Sequence, residues 1–267
     1  SDLCLKKILS EDYHDFIVSD IRMPFLQDML EKDCCLQNPG FFYQCAYLSK
    51  SVIKPVSLEN YSYFSIPKCY SLLSMQALNQ AGILPIQNHS TIQLSGKQVM
   101  IGFLDTGIDY QNPVFQHLDK TTRIAGIWDQ TIQSGTPPES FDYGSHYTPD
   151  MINEALASED PYSLVPSVDN NGHGTFLASI AAGSGDPDAQ FIGAAPESVI
   201  AVVKLKQAKQ YLRDYYFIPN TAPAFQENDI MLGMRYLHLL AEKLGLPLIF
   251  CLALGSNLGG HSGSLPL

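Results

Sequence analysis

The chain is short of positive charge: 16 Lys and Arg stand against 27 Asp and Glu, a net charge of −11 over 267 residues. A surface that neutralises phosphates needs the opposite balance, so no nucleic-acid partner is expected and basic ligands are favoured. There is no CxxC pair. The six cysteines (Cys4, Cys34, Cys35, Cys45, Cys69 and Cys251) have neither metal-ligand spacing nor the density of a disulfide scaffold, so reduced thiols, no metal and no cofactor are expected. Long apolar runs are missing too. The longest, LPLIFCLALG (246–255), is too short to span a bilayer, and no basic stretch followed by an apolar one opens the chain. Neither a membrane contact nor a secretion signal is therefore expected, which leans towards the cytoplasm without closing off an extracellular setting. Internal repeats and low-complexity tracts are also lacking.

What is present is a 45% apolar composition, enough to fill a sizeable core, distributed in two patterns. Residues 1–67 read as a small α+β unit of β-α-β-β order: strand DFIVSDI, helix PFLQDMLEKD, strand FFYQCAYLS and strand YSYFSI, with Pro39-Gly40 as a turn. Residues 68–95 read as a connecting arm containing a short helix, SLLSMQALNQAG. From Gly96 the pattern changes. QVMIGFLD, VIAVVKL and LPLIFCLAL are nearly unbroken apolar runs, as in strands buried on both faces of a parallel sheet. Between the last two, Ile230, Met231, Met234, Leu237, Ala241 and Leu244 fall at helical spacing ahead of Gly245, which completes a βαβ unit. Residues 128–168 read as a surface insertion with its own helix, Thr148 as N-cap and Pro149 at the first position.

Two residues stand where chemistry gathers in such folds, at the carboxyl ends of the strands. Asp105 ends a buried strand, and His173 opens a helix between two glycines in DNNGHGT. Taken singly each has a plain structural reading: a strand-end Asp caps its own turn, and a His near a helix start is often only packed there. Taken together they have another. A carboxylate that accepts from one ring nitrogen fixes the tautomer, makes the other nitrogen a base, and stabilises the imidazolium formed when that base takes a proton from a serine. The order Asp, His, Ser would be that of the subtilisin arrangement.

The motifs then point to a family. IGFLDTGIDYQNPVF resembles the aspartate motif of the subtilisin-like serine proteases, DNNGHGTFLASIAAG their histidine motif, FIGAAPESVIAVVKL their following segment and strand, and LIFCLALGSNLGGHSG their substrate-groove strand. IWDQTIQSGTPP, FDYGSHYTPDMINEAL and AKQYLRDYYFI are similar to the clostridial Csp germination-protease group. This resemblance implies an α/β fold: the three-layer, parallel-sheet subtilisin-like catalytic domain, here incomplete over 96–267, preceded by an inhibitory prodomain at 1–67. It implies that Asp105 orients, that His173 is the general base, and that Ala253, Leu254 and Gly255 edge the groove and pair with substrate backbone. The implied partners are a polypeptide substrate or the chain's own prodomain in the groove, and a cortex-lytic zymogen; the implied location is cytoplasmic or spore-associated.

The pattern also departs from the family. No Gly-Thr-Ser motif ahead of a helix occurs, and neither Ser262 in GGHSGS nor Asn257 is a fit substitute for the nucleophile or its oxyanion donor. Phe176 stands where many relatives carry a second His, and Asp186 and Asp188 read as a solvated loop rather than a cation site. The expectation is thus a subtilisin-like serine endopeptidase seen without its Ser-bearing segment. The alternative is a pseudoprotease that uses the same groove to bind or regulate.

Overall fold

A computed structural model describes residues 2–19, 33–40, 42–72, 94–185 and 192–255. In chain order the elements are α1 (Asp2–Leu9), β1 (Tyr13–Ser19), β2 (Cys34–Gly40), β3 (Tyr43–Ser49), β4 (Cys69–Leu72), β5 (Met100–Asp105), β6 (Ile124–Asp129) and β7 (Ser145–Tyr147). Then come α2 (Pro149–Ala157), α3 (Pro161–Leu164), α4 (His173–Ala182), β8 (Val199–Lys204), α5 (Gln210–Tyr215), β9 (Phe225–Gln226), α6 (Glu227–Leu244), β10 (Leu248–Cys251) and β11 (Leu254–Gly255).

The central sheet has the order β10-β5-β8-β6-β7, parallel except for β7. Both faces are covered because alternate residues of its strands point opposite ways. Met100, Leu104, Ala201 and Val203 pack with Ile230, Leu237 and Ala241 of α6, whereas Ile101, Phe103, Ile200 and Val202 pack with Ala178 and Ala182 of α4. This is the three-layer α/β arrangement that the apolar runs predict. Helix α6 ends at Gly245, whose φ of 66° is the left-handed cap that a glycine adopts without strain. No helix among the described residues is long and apolar enough to cross a membrane.

The N-terminal sheet has the order β1-β3-β2, antiparallel throughout. It differs from the β-α-β-β expectation in three ways. Helix α1 precedes it; β2 forms in CCLQNPG, where Pro39 is tolerated because β2 is an edge strand; and Tyr63–Ser65 is a single 3-10 turn, closed by Ser65 N–H donating to the Ser62 carbonyl, rather than a strand. The expected helix PFLQDMLEKD falls almost wholly outside the described residues. Of the arm, Cys69–Leu72 is a strand, and the rest of SLLSMQALNQAG lies outside the described residues.

Two further expectations are corrected. Cys4 and Cys35 are joined in a disulfide, because α1 packs on β2 and brings together cysteines 31 positions apart, a proximity that sequence spacing does not encode. The segment 128–168 is not merely a surface insertion. Trp128 is fully buried among the rings of Phe141, Tyr143 and Tyr236, its Nε1 donating to the Tyr143 carbonyl, and Tyr147, Ile152 and Val165 enter the core on the other face. Its helix does start as read, the Thr148 hydroxyl accepting from Met151 N–H with Pro149 at the first position.

The N-terminal sheet shares the main core: Ile8, Cys35, Cys45 and Tyr47 lie in one apolar cluster with Met100, Leu104 and α6. Buried polar groups cross the same boundary. Lys209 pairs with Asp15, which also accepts from Gln226 Nε2 (2.6 Å) and Asn228 Nδ2 (3.1 Å). Tyr211 Oη accepts from Asp15 N–H at 2.8 Å and donates to the Asp15 carbonyl at 3.0 Å. Beside them His14 stacks on Tyr211 with ring centroids 4.0 Å apart, both its ring nitrogens buried and without a hydrogen-bond partner among the described residues.

Burial, reinforced by Lys50 and Lys209, pulls the His14 pKa from 6.5 down to about 4. The unfolded chain therefore binds a proton in that window that the folded chain refuses. His14's contribution to stability is complete above pH 6.5 and is lost as the pH falls towards 4. Urea midpoints measured from pH 7 to pH 4.5 should fall, and the fall should be shallower in His14→Phe; equal slopes would contradict this account.

Candidate active site

Every residue of β5 (MIGFLD) is buried, so the strand carries its terminal carboxylate into a site almost closed to water: Asp105 is 1% exposed. The chain turns at once through Thr106-Gly107, and Thr106 N–H donates to Asp105 Oδ1 at 2.7 Å. The parallel register sets Lys204 of β8 beside Asp105 on one side and Asp129 of β6 on the other. Lys204 Nζ lies 3.4 Å from Asp129 Oδ2, so Asp129 supplies its counter-charge.

The partner of Asp105 comes from the first residue of α4. His173 Nδ1 lies 2.8 Å from Oδ1 and 3.0 Å from Oδ2 of Asp105, bridging 68 positions of sequence. The flanking glycines explain how the helix start comes so close. Gly172 has a φ of 84°, a left-handed turn that aims the chain into the helix, and a Cβ on Gly174 would overlap the Gly107 carbonyl oxygen. Burial pushes the Asp105 carboxyl above the ordinary range, opposed by the hydrogen bonds from His173 and Thr106. An acid held so dry needs the imidazole as its partner. The pair has the elements of an oriented base: one ring nitrogen on a buried carboxylate, and an edge of the ring at the carboxyl end of a parallel sheet.

One residue of this site escaped the sequence reading. Asp169 sits four positions before His173, and its carboxylate accepts from Gly172 N–H (2.9 Å), Thr175 N–H (2.8 Å), the Thr175 hydroxyl (2.7 Å) and the Thr106 hydroxyl (2.7 Å). Burial raises its pKa, but the bonds from Thr175, Thr106 and Gly172 outweigh that and hold it below the ordinary range. An Asp ahead of a Gly-started helix, with hydroxyl residues at 106 and 175 to meet it, is the signal that was there to be read.

The sheet brings the segment of Ala253, Leu254 and Gly255 to the same end as this pair. β10 lies beside β5, with Cys251 opposite Phe103, so the chain leaves β10 at the end where Asp105 sits. It then passes Ala253, half-buried, into β11. Leu254 and Gly255 pair antiparallel with Leu72 and Ser71, and the other edge of β4 pairs with β9, Cys69 opposite Gln226 and Tyr70 opposite Phe225. The segment Cys69–Leu72 thus runs as the middle strand between two strands of the second region. Phe176 is exposed. Ser262, Asn257, Asp186 and Asp188 lie outside the described residues.

Among the described residues one group of metal-ligating types comes together, Cys4, Cys35 and Asp142, outside the Asp105–His173 pair. Its two sulfurs are bonded to each other, which removes the thiolates that a metal would need.

Against known proteins, residues 96–230, just over half of the chain, match the family model described as the Subtilase family. The subtilisin-like protease SBT2.2 of Arabidopsis thaliana is 32% identical over 131 residues, covering 42% of this chain and 15% of that protein. SBT2.1 of the same plant is 30% identical over 132 residues, again 15% of its length. The solved structure of the Clostridium perfringens CspB protease aligns with a TM-score of 0.55 and 34% identity, over 68% of this chain and 34% of that one. The match therefore spans about a seventh of the length of the plant relatives and a third of the clostridial one.

Proposed function

Because this chain belongs to the subtilase family, we propose that the protein it comes from is a serine endopeptidase in which Asp105 orients His173 and His173 is the general base. The observation that carries this reading is the contact of His173 Nδ1 with Asp105 at 2.8 and 3.0 Å, on a carboxylate withdrawn from water. In this reading His173 takes the proton of a serine hydroxyl that lies outside residues 1–267. Its imidazolium is then stabilised by Asp105 while the tetrahedral intermediate forms, and the proton passes from Nε2 to the leaving amine.

The groove follows from strand addition. An extended peptide added to a strand edge gains its affinity from backbone hydrogen bonds. Ala253, Leu254 and Gly255 form such an edge in this proposal, and the position beside them is taken by the chain's own Cys69–Leu72. Residues 1–67 are then an inhibitory prodomain-like unit, 68–95 its connection and 96–267 the N-terminal part of the catalytic domain. The antiparallel pairing of Leu72 with Leu254 supports that division, since an occupant in this register mimics a bound polypeptide. The substrates are polypeptides, a class that includes the cortex-lytic zymogen suggested by the Csp resemblance.

The test is a serine-directed fluorophosphonate applied to the gene product at its native length, with hydrolysis of a denatured protein substrate measured in parallel. Covalent labelling together with loss of hydrolysis is expected. A product that binds peptides but is neither labelled nor hydrolytic would overturn this reading in favour of a non-cutting groove.

A further inference from the structure

The hydrogen bonds around Asp169 tie the turn after β5 to the stretch 169–175 that opens α4. Its Oδ1 accepts from the Thr106 hydroxyl at 2.7 Å, Gly172 N–H at 2.9 Å and Asn171 N–H at 3.2 Å. Its Oδ2 accepts from Thr175 N–H at 2.8 Å and the Thr175 hydroxyl at 2.7 Å. Thr175 Oγ1 in turn accepts from Asp109 N–H at 2.9 Å, and Thr106 Oγ1 accepts from Gly174 N–H at 3.0 Å. The carboxylate therefore takes up open N–H groups of the first turn of α4, which Gly172 cannot cap because it has no side chain, and ties that turn to the 105–109 turn.

We propose that Asp169 is the positioning residue of the acid–base pair: acting through Thr106 and Thr175, it holds the first turn of α4 on the end of β5 so that His173 Nδ1 stays on Asp105. This rests on reading Asp105 and His173 as acid and base.

The argument turns on one hydrogen. The Thr106 hydroxyl has a single proton and two carboxylates within reach, Asp169 Oδ1 at 2.7 Å and Asp105 Oδ1 at 3.2 Å. The shorter bond to Asp169 takes it. Asp105 Oδ1 is then left to accept from Thr106 N–H and from His173 Nδ1, the two donors that orient it toward the ring. Without the Asp169 carboxylate the hydroxyl turns to Asp105 and competes with the imidazole for the same oxygen. The Thr175 amide and hydroxyl also lose their acceptor, which loosens the turn that carries His173. A simple helix cap has only the second effect; a positioning residue has both, and the two are coupled through Thr106.

The experiment uses the 267-residue chain and the low-field proton resonance of His173 Nδ1–H in solution NMR, with the urea midpoint recorded for each variant. In the unmodified chain the resonance is expected, and Asp105→Asn should abolish it. In Asp169→Asn, where an amide N–H2 faces the Thr175 donors, the proton should exchange with water about tenfold faster or more, the loss expected for hydrogen bonds to a charged group. Thr106→Val should also speed exchange, because it removes the tie to Asp169 and the acceptor of Gly174 N–H; Thr106→Ser should match the unmodified chain, and Thr106→Val added to Asp169→Asn should speed exchange no further, because it removes the hydroxyl that Asp169→Asn turns onto Asp105. Should Asp169→Asn not fold, the Thr106→Val and Thr106→Ser pair decides.

Unchanged exchange in Asp169→Asn and Thr106→Val, with only the urea midpoint lowered, would overturn the proposal and leave Asp169 a cap. So would purely additive effects in the double variant. Absence of the resonance in the unmodified chain is a different failure: it removes the acid–base reading itself, and this inference with it.

Discussion

Replacing His173 by alanine in the native-length protein is expected to lower kcat for peptide hydrolysis by about a millionfold, and Asp105→Asn by about ten-thousandfold, with KM little changed in both. These magnitudes are those of serine-protease triads, where base and acid act as one unit with the serine. The asymmetry has a physical cause. Without His173 nothing takes the serine proton, whereas an asparagine at 105 keeps the ring in place but presents an amide N–H to Nδ1 and favours the wrong tautomer. Steady-state hydrolysis together with fluorophosphonate labelling rates checks both. Losses of less than about tenfold in His173→Ala would show that the pair at 2.8 Å is a structural contact.

The second large effect is on stability. Asp15→Ala is expected to cost about 3–5 kcal/mol, because it leaves the Lys209 ammonium buried without its counter-charge. Burial already pulls the Lys209 pKa down, against the attraction of Asp15, so the ion has little reserve. Lys209→Met should cost a similar amount by stranding the Asp15 carboxylate. Asp15→Ala combined with Lys209→Met should cost much less than the sum, since it removes both desolvated charges. Urea unfolding of the four proteins gives the coupling; single-variant costs below about 1 kcal/mol would contradict a buried pair. The pair joins residues 194 positions apart, from the N-terminal sheet to α5's edge, so the variants also measure how far the two regions share one stability.

Much of the architecture was legible because it rests on local pattern. The unbroken apolar runs 100–105 and 199–204 are strands inside the sheet, the run 248–251 is a strand too but lies half-exposed at the sheet edge rather than buried on both faces, and the 3.6-residue period from Ile230 to Leu244 is α6, stopped by Gly245. Thr148-Pro149 starts α2 because a hydroxyl acceptor and a residue lacking N–H both suit a helix N-terminus. The failures share one cause. β2 was hidden by Asn38-Pro39-Gly40, which reads as a loop but is harmless at a sheet edge, and YSYFSI has the aromatic content of a strand without forming one. Trp128 reads as surface because nothing local shows that Phe141, Tyr143 and Tyr236 close around it.

The same division runs through the site. DNNGHGT and a buried strand ending in Asp were enough to name Asp105 and His173, since glycine spacing and a strand-end acid are local facts. The resemblance of four motifs in order was enough for the family. Three things needed the tertiary structure: that Asp169 closes a network with Thr106 and Thr175, that Cys4 meets Cys35, and that Cys69–Leu72 runs between Leu254–Gly255 and Phe225–Gln226. Each depends on atoms brought together from distant positions by packing of the sheets and helices, and burial then makes their hydrogen bonds obligatory. The sequence by itself determined which side chains are candidates for the chemistry; the fold decided that Asp105 and His173 meet, what holds them in register, and that Cys69–Leu72 pairs with Leu254–Gly255.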